Sequence, residues 1–169
     1  FSINISGATL AKADFAQFIE AALAEHQVAA RRILFEVSEA DVVAHAAKAG
    51  PFFERIRALG CRVALDDFGS GLTSLANLKD LPVDVLKIDG SLVRDVLTHE
   101  RAATLVAAIA QMARALGLQT VAECVETDAQ VEELVYIATP SSPSSDRPSG
   151  GQQYPSGSNV EVYARLEGR

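Results

Sequence analysis

Acidic residues recur at the ends of short apolar runs in this sequence, and they indicate a site for divalent cations. A parallel β-barrel gathers the carboxyl ends of its strands at one face, so carboxylates that follow such runs would converge there. Several like charges in one pocket repel each other unless cations lie between them. The clusters are Phe35-Glu36-Val37-Ser38-Glu39, Leu65-Asp66-Asp67-Phe68-Gly69, Leu86-Lys87-Ile88-Asp89 and Val121-Ala122-Glu123-Cys124-Val125-Glu126.

The segment Asp66-Asp67-Phe68-Gly69-Ser70-Gly71 carries the sharpest local signal. Neighbouring side chains on a strand point to opposite faces, so both aspartates reach one site only if the backbone leaves strand geometry. Glycine permits that change because it has no Cβ. The alternative is an acidic turn in which Asp67 caps a helix through Thr73 to Leu78, and the local sequence leaves both interpretations open.

Lys87 and Glu123 are difficult to explain as surface residues. Lysine is uncommon inside a run as apolar as Val85-Leu86-Lys87-Ile88 unless it pairs with a carboxylate or acts on one. Glu123 directly follows another apolar pair. Glu36 and Glu39 have a second interpretation, because negative charge is also favourable at the start of a helix, where both would be solvated.

Strand-like and helix-like segments alternate along the chain and must position these residues. The alternation predicts an α/β fold with a parallel sheet, either doubly wound or a barrel. A barrel of eight strand-helix units takes about 250 residues, so this chain would supply roughly five or six units. We expect strands at Phe1 to Ser6, Ile33 to Ser38, Arg62 to Asp67, Val83 to Asp89 and Gln119 to Cys124, and helices at Asp14 to Glu25, Phe52 to Leu59 and Arg101 to Leu116. The expected apolar stripes are Phe15, Phe18, Ile19 and Leu23 in the first helix and Leu105, Ile109, Met112 and Leu116 in the last.

The composition predicts a globular domain in a reducing compartment. The 169 residues are 49% hydrophobic and 22% charged, which allows a sizeable core. The net charge of −7 argues against nucleic acid polymers and anionic membrane surfaces as partners. We expect Cys61 and Cys124 to be small buried residues without a disulfide. With no apolar span and no signal peptide in the sequence, these features favour a cytoplasmic location.

The composition changes abruptly from Thr139 onward, where Ser, Pro and Gly dominate. Such a segment buries too little apolar surface to order itself. We therefore predict a domain at residues 1–138 and a divergent tail at residues 139–169, with a short strand at Val160 to Tyr163 as an alternative. The sequence starts at Phe1 with strand-like residues, which indicates a piece of a longer protein.

Together these motifs resemble the EAL-domain family of cyclic di-GMP phosphodiesterases over about Phe1 to Leu134. The resemblance implies a TIM-like (β/α) barrel, incomplete in this chain, that hydrolyses cyclic di-GMP to the linear dinucleotide with Mg²⁺ or Mn²⁺. It also implies coupling of dimerisation to activity through the loop Phe68 to Leu75, hence a homodimer as partner. The residues that match the family's metal ligands are Asn4, Glu36, Asp66, Asp67 and Glu123.

The same resemblance implies roles for the other motif residues. Lys87 matches the lysine that contacts the nucleophilic water, and Glu123 matches a glutamate assigned to metal binding or to general-base duty. Glu39 matches the residue that steadies the loop after the aspartates.

This sequence departs from the family pattern at three places. The Glu-Ala-Leu strand that names the family would precede Phe1, the Ser/Pro/Gly tail replaces a glutamine-glycine-tyrosine element, and Cys124 stands where the family usually has glycine. Two alternatives to the enzyme therefore stay open. One is a catalytically inactive cyclic di-GMP receptor or truncated regulatory module, and the other is an incomplete barrel whose exposed strand edges need a partner copy.

Overall fold

Six parallel strands lie side by side in sequence order in a computed structural model of the chain, which describes residues 1–70, 78–138 and 160–162. Among the described residues, each strand pairs with the strands before and after it in the sequence. The strands are β1 Ser2–Asn4, β2 Leu34–Ser38, β3 Arg62–Phe68, β4 Val85–Ile88, β5 Gln119–Ala122 and β6 Val160–Val162.

Helices fill most of the connections between consecutive strands. They are α1 Gly7–Leu10, α2 Phe15–Glu25, α3 Glu39–Ala44, α4 Ala46–Ala58, α5 Gly90–Arg94, α6 Glu100–Ala115 and α7 Asp128–Ala138, with a 3₁₀ turn at Ala30–Arg32. No helix within residues 1–70 and 78–138 is long and apolar enough to cross a lipid bilayer.

The strand order decides between the two α/β architectures. A doubly wound sheet reverses its order at a switch point, whereas the strands of a (β/α) barrel follow the sequence order. The order β1 to β6 has no reversal. The predicted α/β class and incomplete TIM-like barrel are therefore confirmed, and the doubly wound alternative is excluded.

Polar residues at the ends of two strands start the helices that follow them. Ser38 Oγ accepts a hydrogen bond from the Asp41 amide at 3.1 Å, and Asp89 Oδ1 accepts one from the Ser91 amide at 2.8 Å. Such caps satisfy amides that have no partner inside a helix. Each helix therefore begins immediately after its strand, which keeps the adjoining acidic residues at the sheet edge.

One face of the sheet carries the apolar core. Val37, Leu65 and Leu86 are partners in the sheet register and are at most 1% exposed. They belong to one cluster with the fully buried Phe53 and Ile56 of α4. Burying each such side chain contributes about 1.5–3 kcal/mol. Because side chains alternate along a strand, the residues between them face the other side of the sheet, where the charged residues lie.

Helix α4 starts six residues earlier than its sequence pattern predicts, at Ala46 instead of Phe52. Pro51 therefore lies inside the helix and not near its start. Proline in a helix interior removes one backbone hydrogen bond. The helix continues through Pro51, with Ala49 before it and Phe53 after it fully buried in the core.

The apolar stripes predicted for two helices are partly wrong. Phe18 of α2 is 64% exposed and Leu105 of α6 is 51% exposed. Helix α6 buries smaller residues instead, including Ala102, Val106 and Ala113. Small side chains allow a helix to approach the sheet closely. The periodicity of large apolar residues does not predict this kind of packing.

Parts of the predicted organisation lie outside the described residues. These parts are the helix at Thr73 to Leu78 apart from its last residue, most of the loop Phe68 to Leu75, and the tail except for Val160–Val162. That short segment forms β6, which pairs with β5 through the register Thr120 to Val160.

Candidate active site

Lys87 lies at the centre of a carboxylate cluster on the polar face of the sheet. Its Nζ is 2.7 Å from Glu36 Oε2, 3.0 Å from Asp66 Oδ1 and 2.6 Å from Glu123 Oε1. These partners come from β2, from β3 and from the loop after β5, so the parallel sheet brings together residues that are distant in sequence. One ammonium thus balances part of the charge of three carboxylates.

The environment of Lys87 fixes its protonation state. Burial alone lowers the pKa of the ammonium, but hydrogen bonds to Glu123, Glu36 and Asp66 outweigh it and raise the pKa well above its usual range. Lys87 is therefore protonated at neutral pH. In that form it donates hydrogen bonds and does not act as a base.

The backbone leaves regular strand geometry between Asp66 and Asp67. The register with β4 shifts between Leu65 and Phe68, and Asp67 has a left-handed backbone with φ of 55°. The Asp67 amide also donates to Asp66 Oδ1 at 2.9 Å. This local turn lets two adjacent side chains approach one site. Asp67 begins this change of direction, and Gly69, one of the glycines that the sequence predicts to permit it, continues it with a φ of 97°.

Asp66, Asp67 and Glu123 form the group best suited to hold a cation. One carboxylate oxygen from each lies within 4.8 Å of the others. Carboxylate oxygens are the ligands that Mg²⁺ and Mn²⁺ prefer, and each of these three residues offers one such oxygen to the group. The donor set therefore fits a hard divalent ion.

The pKa of Asp67 shows the electrostatic strain within this group. Burial raises this pKa most, and the negative charges of Asp66, Asp89 and Glu39 raise it further. The positive charge of Lys87 lowers the pKa but does not cancel these effects. The ionised form is thus less favoured here than in an isolated aspartate. A bound divalent ion would reverse that balance.

Glu36 and Asn4 lie beside the three-carboxylate group. Glu36 reaches it through Lys87, and its other oxygen accepts a hydrogen bond from Ser2 Oγ. Asn4 pairs with Glu36 in the register of β1 and β2 and is exposed. The five predicted ligands therefore divide into a group of three and a neighbouring pair.

Glu39 is buried against the loop that follows Asp67. It is 2% exposed, and its Oε2 accepts hydrogen bonds from the Gly69 amide at 3.1 Å and from Ser70 Oγ at 3.5 Å. Glu36 is 8% exposed. The interpretation of both residues as solvated acids at a helix start is therefore wrong, although Glu39 does begin α3.

Cys124 differs from its predicted environment. Cys61 is buried and Cys124 is exposed, and both are free thiols. The strand β5 ends at Ala122, and Cys124 has a left-handed backbone with φ of 57°. The chain has left the sheet at this point, so the apolar run before Cys124 does not imply burial.

Sequence reasoning missed two polar residues around the site. Ser2 donates to Glu36, and the only sequence signal for it is a position two residues before Asn4 on the same strand face. Gln130 binds the loop that follows Glu123, and a Thr-x-x-Gln spacing from Thr127 could have identified it as part of a helix capping box.

A cleft of about 500 Å³ lies at the amino-terminal ends of the strands, beside the first residues of β3 and β5. The carboxylate cluster lies at the other end of these strands. The polar groups of the cleft are paired, because Arg57 contacts Asp84 at 3.1 Å and Arg62 donates to Gln119. Residues at this end of a (β/α) barrel usually serve stability. We therefore place the candidate site at the carboxyl ends of the strands.

Known proteins resemble this chain over the region that contains the candidate site. The model of the EAL domain family matches residues 1–136. The cyclic di-GMP phosphodiesterase PdeF of Escherichia coli is 36% identical over 135 residues, which cover 80% of this chain and 18% of PdeF. The cyclic di-GMP phosphodiesterase PdeA of Borreliella burgdorferi is 32% identical over 81% of this chain and 20% of PdeA. The chain thus spans about a fifth of the length of these relatives.

Solved structures show the same fold. The PaMucR phosphodiesterase in its c-di-GMP complex has a TM-score of 0.76 and 34% sequence identity, with 80% of this chain and 55% of that chain covered. The EAL domain of Mycobacterium smegmatis DcpA has a TM-score of 0.75 and 33% identity, with coverage of 80% and 61%.

Proposed function

Because the chain belongs to the EAL domain family, we propose that it hydrolyses cyclic di-GMP to the linear dinucleotide in a reaction that depends on Mg²⁺ or Mn²⁺. The observation that carries the proposal is the position of Lys87 between Glu36, Asp66 and Glu123. A phosphodiester is anionic, so it approaches carboxylates only where cations lie between them.

The proposed ligands are the residues that could hold these cations. Asp66, Asp67 and Glu123 form the central group, and Glu36 and Asn4 extend it along β2 and β1. Divalent ions, when bound, supply Lewis acidity and charge neutralisation for the attacking and leaving oxygens. Glu39 supports the loop after Asp67 through the Gly69 amide.

Lys87 and Glu123 are the proposed catalytic residues. The three donors of the Lys87 ammonium are directed at Glu36, Asp66 and Glu123 in this structure. If cations held those carboxylates, one donor would be freed to bind a water molecule and orient it towards the phosphorus atom. Glu123 lies 2.6 Å from Lys87 Nζ, so its carboxylate could accept the proton of that water or bind metal.

The similar proteins support the choice of substrate. PdeF and PdeA are named cyclic di-GMP phosphodiesterases, and PaMucR was solved as a c-di-GMP complex. These names also make the catalytically inactive receptor the less favoured alternative. The net charge of −7 supports a small anionic ligand bound through cations over a nucleic acid polymer.

Chromatography of reaction products tests the proposal. The chain is incubated with cyclic di-GMP in Mn²⁺, in Mg²⁺ and in excess EDTA. We expect linear dinucleotide with either metal and none with EDTA. Binding of cyclic di-GMP by a folded protein without product in any condition would contradict hydrolysis and favour the receptor.

The proposal also includes a homodimer and a cytoplasmic location. The dimer is what the family resemblance implies, because the loop Phe68 to Leu75 in that family is associated with coupling of dimerisation to activity. Size-exclusion chromatography with light scattering tests the dimer, and a monomer at all concentrations would contradict it.

A further inference from the structure

The buried side chain of Gln130 joins the loop that carries Glu123 to helix α5. It is 6% exposed. Its Oε1 accepts hydrogen bonds from the amides of Glu126 at 2.8 Å and Thr127 at 3.1 Å, and its Nε2 donates to the Val93 carbonyl at 3.4 Å. One amide group therefore connects two separate elements of the fold.

Part of this arrangement is an ordinary helix cap. Thr127 Oγ1 accepts a hydrogen bond from the backbone amide of Gln130 at 3.2 Å. In return, Oε1 of the Gln130 side chain accepts a hydrogen bond from the backbone amide of Thr127. This reciprocal pattern starts α7. The bond from Gln130 to Val93 is outside that pattern, because helix capping does not require a contact with α5.

Helix α5 also contacts the end of β3, which carries Asp67, and the residue that follows this strand. The Asp89 amide, directly before α5, donates to the Phe68 carbonyl at 3.0 Å. Leu92 of α5 lies against Gly69, so closely that a Cβ on residue 69 would be 2.9 Å from Leu92 Cδ1. Helix α5 also contacts the loop after β5, because Gly90 lies against Cys124. A Cβ on residue 90 would be only 2.5 Å from Cys124 Sγ. Helix α5 therefore contacts both the end of β3, which carries Asp66 and Asp67, and the loop after β5, which carries Glu123.

We propose that Gln130 is a positioning residue that fixes Glu123 relative to Asp66 and Asp67 by holding its loop against α5. The inference rests on the proposed function, because it assigns to Gln130 an effect on the affinity of that carboxylate group for divalent cations. Residues behind metal ligands commonly change metal affinity by about 10- to 100-fold when they are mutated.

Two variants of Gln130 and one matched control test this role in the full chain. Gln130→Met keeps the size of the side chain and removes its three side-chain hydrogen bonds, to Glu126, Thr127 and Val93. Gln130→Glu keeps an acceptor for the Glu126 and Thr127 amides and removes the donor to Val93. Thr127→Ala weakens the same helix cap and keeps the link to α5.

The first measurement is the dissociation constant for Mn²⁺, followed by electron paramagnetic resonance without substrate. We expect both Gln130 variants to bind Mn²⁺ about 10- to 100-fold more weakly than wild type, and Thr127→Ala to bind it normally despite a lower melting temperature. The negative charge that Gln130→Glu adds would by itself strengthen cation binding. Weaker binding by this variant would therefore show that the position of Glu123, and not the charge, has changed. Wild-type affinity in both folded Gln130 variants would overturn the inference.

The second measurement is amide hydrogen exchange in metal-free protein, which separates this inference from the proposed function. Gln130→Met should increase exchange in α5 and at Gly69, whereas Thr127→Ala should affect only the start of α7. Unchanged exchange in α5 would overturn the inference, whether or not wild type binds Mn²⁺. Absence of Mn²⁺ binding by wild type, with the expected exchange pattern, would count against the proposed function alone.

Discussion

Lys87 Nζ lies 2.7 Å from Glu36 Oε2, and the two side chains are only 10% and 9% exposed. Ionised groups this buried are costly unless each is paired. Strand β4 therefore places a positive charge where β2, β3 and the loop after β5 place negative ones. The same ion pair supports the fold and organises the candidate site.

Replacement of Lys87 should destabilise the chain strongly in the absence of metal. Lys87→Met leaves Glu36, Asp66 and Glu123 without their shared cation, and breaking a buried ion pair typically costs about 3–5 kcal/mol. Urea unfolding in EDTA measures this loss, and millimolar Mn²⁺ should restore part of it. Lys79→Met is the matched control, because the Lys79 side chain is 67% exposed. Equal stability of the two variants would contradict the pairing.

The contribution of Lys87 to stability should disappear at alkaline pH. Its pKa is raised in the folded protein, so the contribution is fully present below the unfolded-state value of about 10.4 and is lost as pH rises through the folded-state value. The difference in unfolding free energy between wild type and Lys87→Met should be constant up to about pH 10. Above that it should fall by at most about 1.4 kcal/mol per pH unit. A difference that stays constant to pH 12 would show that the lysine pKa is not raised.

Asp67→Asn should stabilise the metal-free protein slightly. Burial and the neighbouring acids raise the pKa of Asp67, so its ionised form opposes folding at neutral pH. Asparagine tolerates the left-handed backbone at this position. Asp67 is exposed, so the gain should be below about 1 kcal/mol. Thermal unfolding in EDTA and in Mn²⁺ tests this, because Mn²⁺ should stabilise wild type more than the variant. Equal stabilisation by Mn²⁺ would argue against Asp67 as a ligand.

Glu39→Ala should loosen the loop after Asp67. The change removes the acceptor of the half-buried Gly69 amide. A fully buried amide without a partner costs about 1–3 kcal/mol, so the loss here should lie near the lower end of that range. Glu39→Gln retains an acceptor oxygen of similar size, so its loss should be smaller. Urea unfolding compares the two variants directly. If both lose the same stability, the charge of Glu39 matters and the hydrogen bond does not.

The strand positions and the carboxylates were predictable because both depend on local sequence patterns. Apolar runs of strand length end next to Glu36, Asp66, Lys87 and Glu123, and parallel strands place such ends at one edge. The alternation of strands and helices could be predicted from the periodicity of apolar residues alone. Strand order, which separates a barrel from a doubly wound sheet, required the structure.

The remaining features depend on contacts that no local pattern encodes. Left-handed backbones at Asp67 and Cys124 redirect the chain at the site, and both occur at residues other than glycine. Helix α6 buries mainly small residues such as Ala102 and Ala113 and leaves Leu105 exposed. The bond from Gln130 to Val93 joins residues 37 positions apart.

The most direct test of the proposed hydrolytic site compares Asp66→Asn with wild type and with Asp14→Asn, a control at an exposed position. The measured quantity is the rate of linear dinucleotide formation from cyclic di-GMP in saturating Mn²⁺. We expect Asp66→Asn to lose turnover while retaining its fold by circular dichroism, and Asp14→Asn to match wild type. Turnover by Asp66→Asn at the wild-type rate would contradict the assignment of these carboxylates as a catalytic metal site.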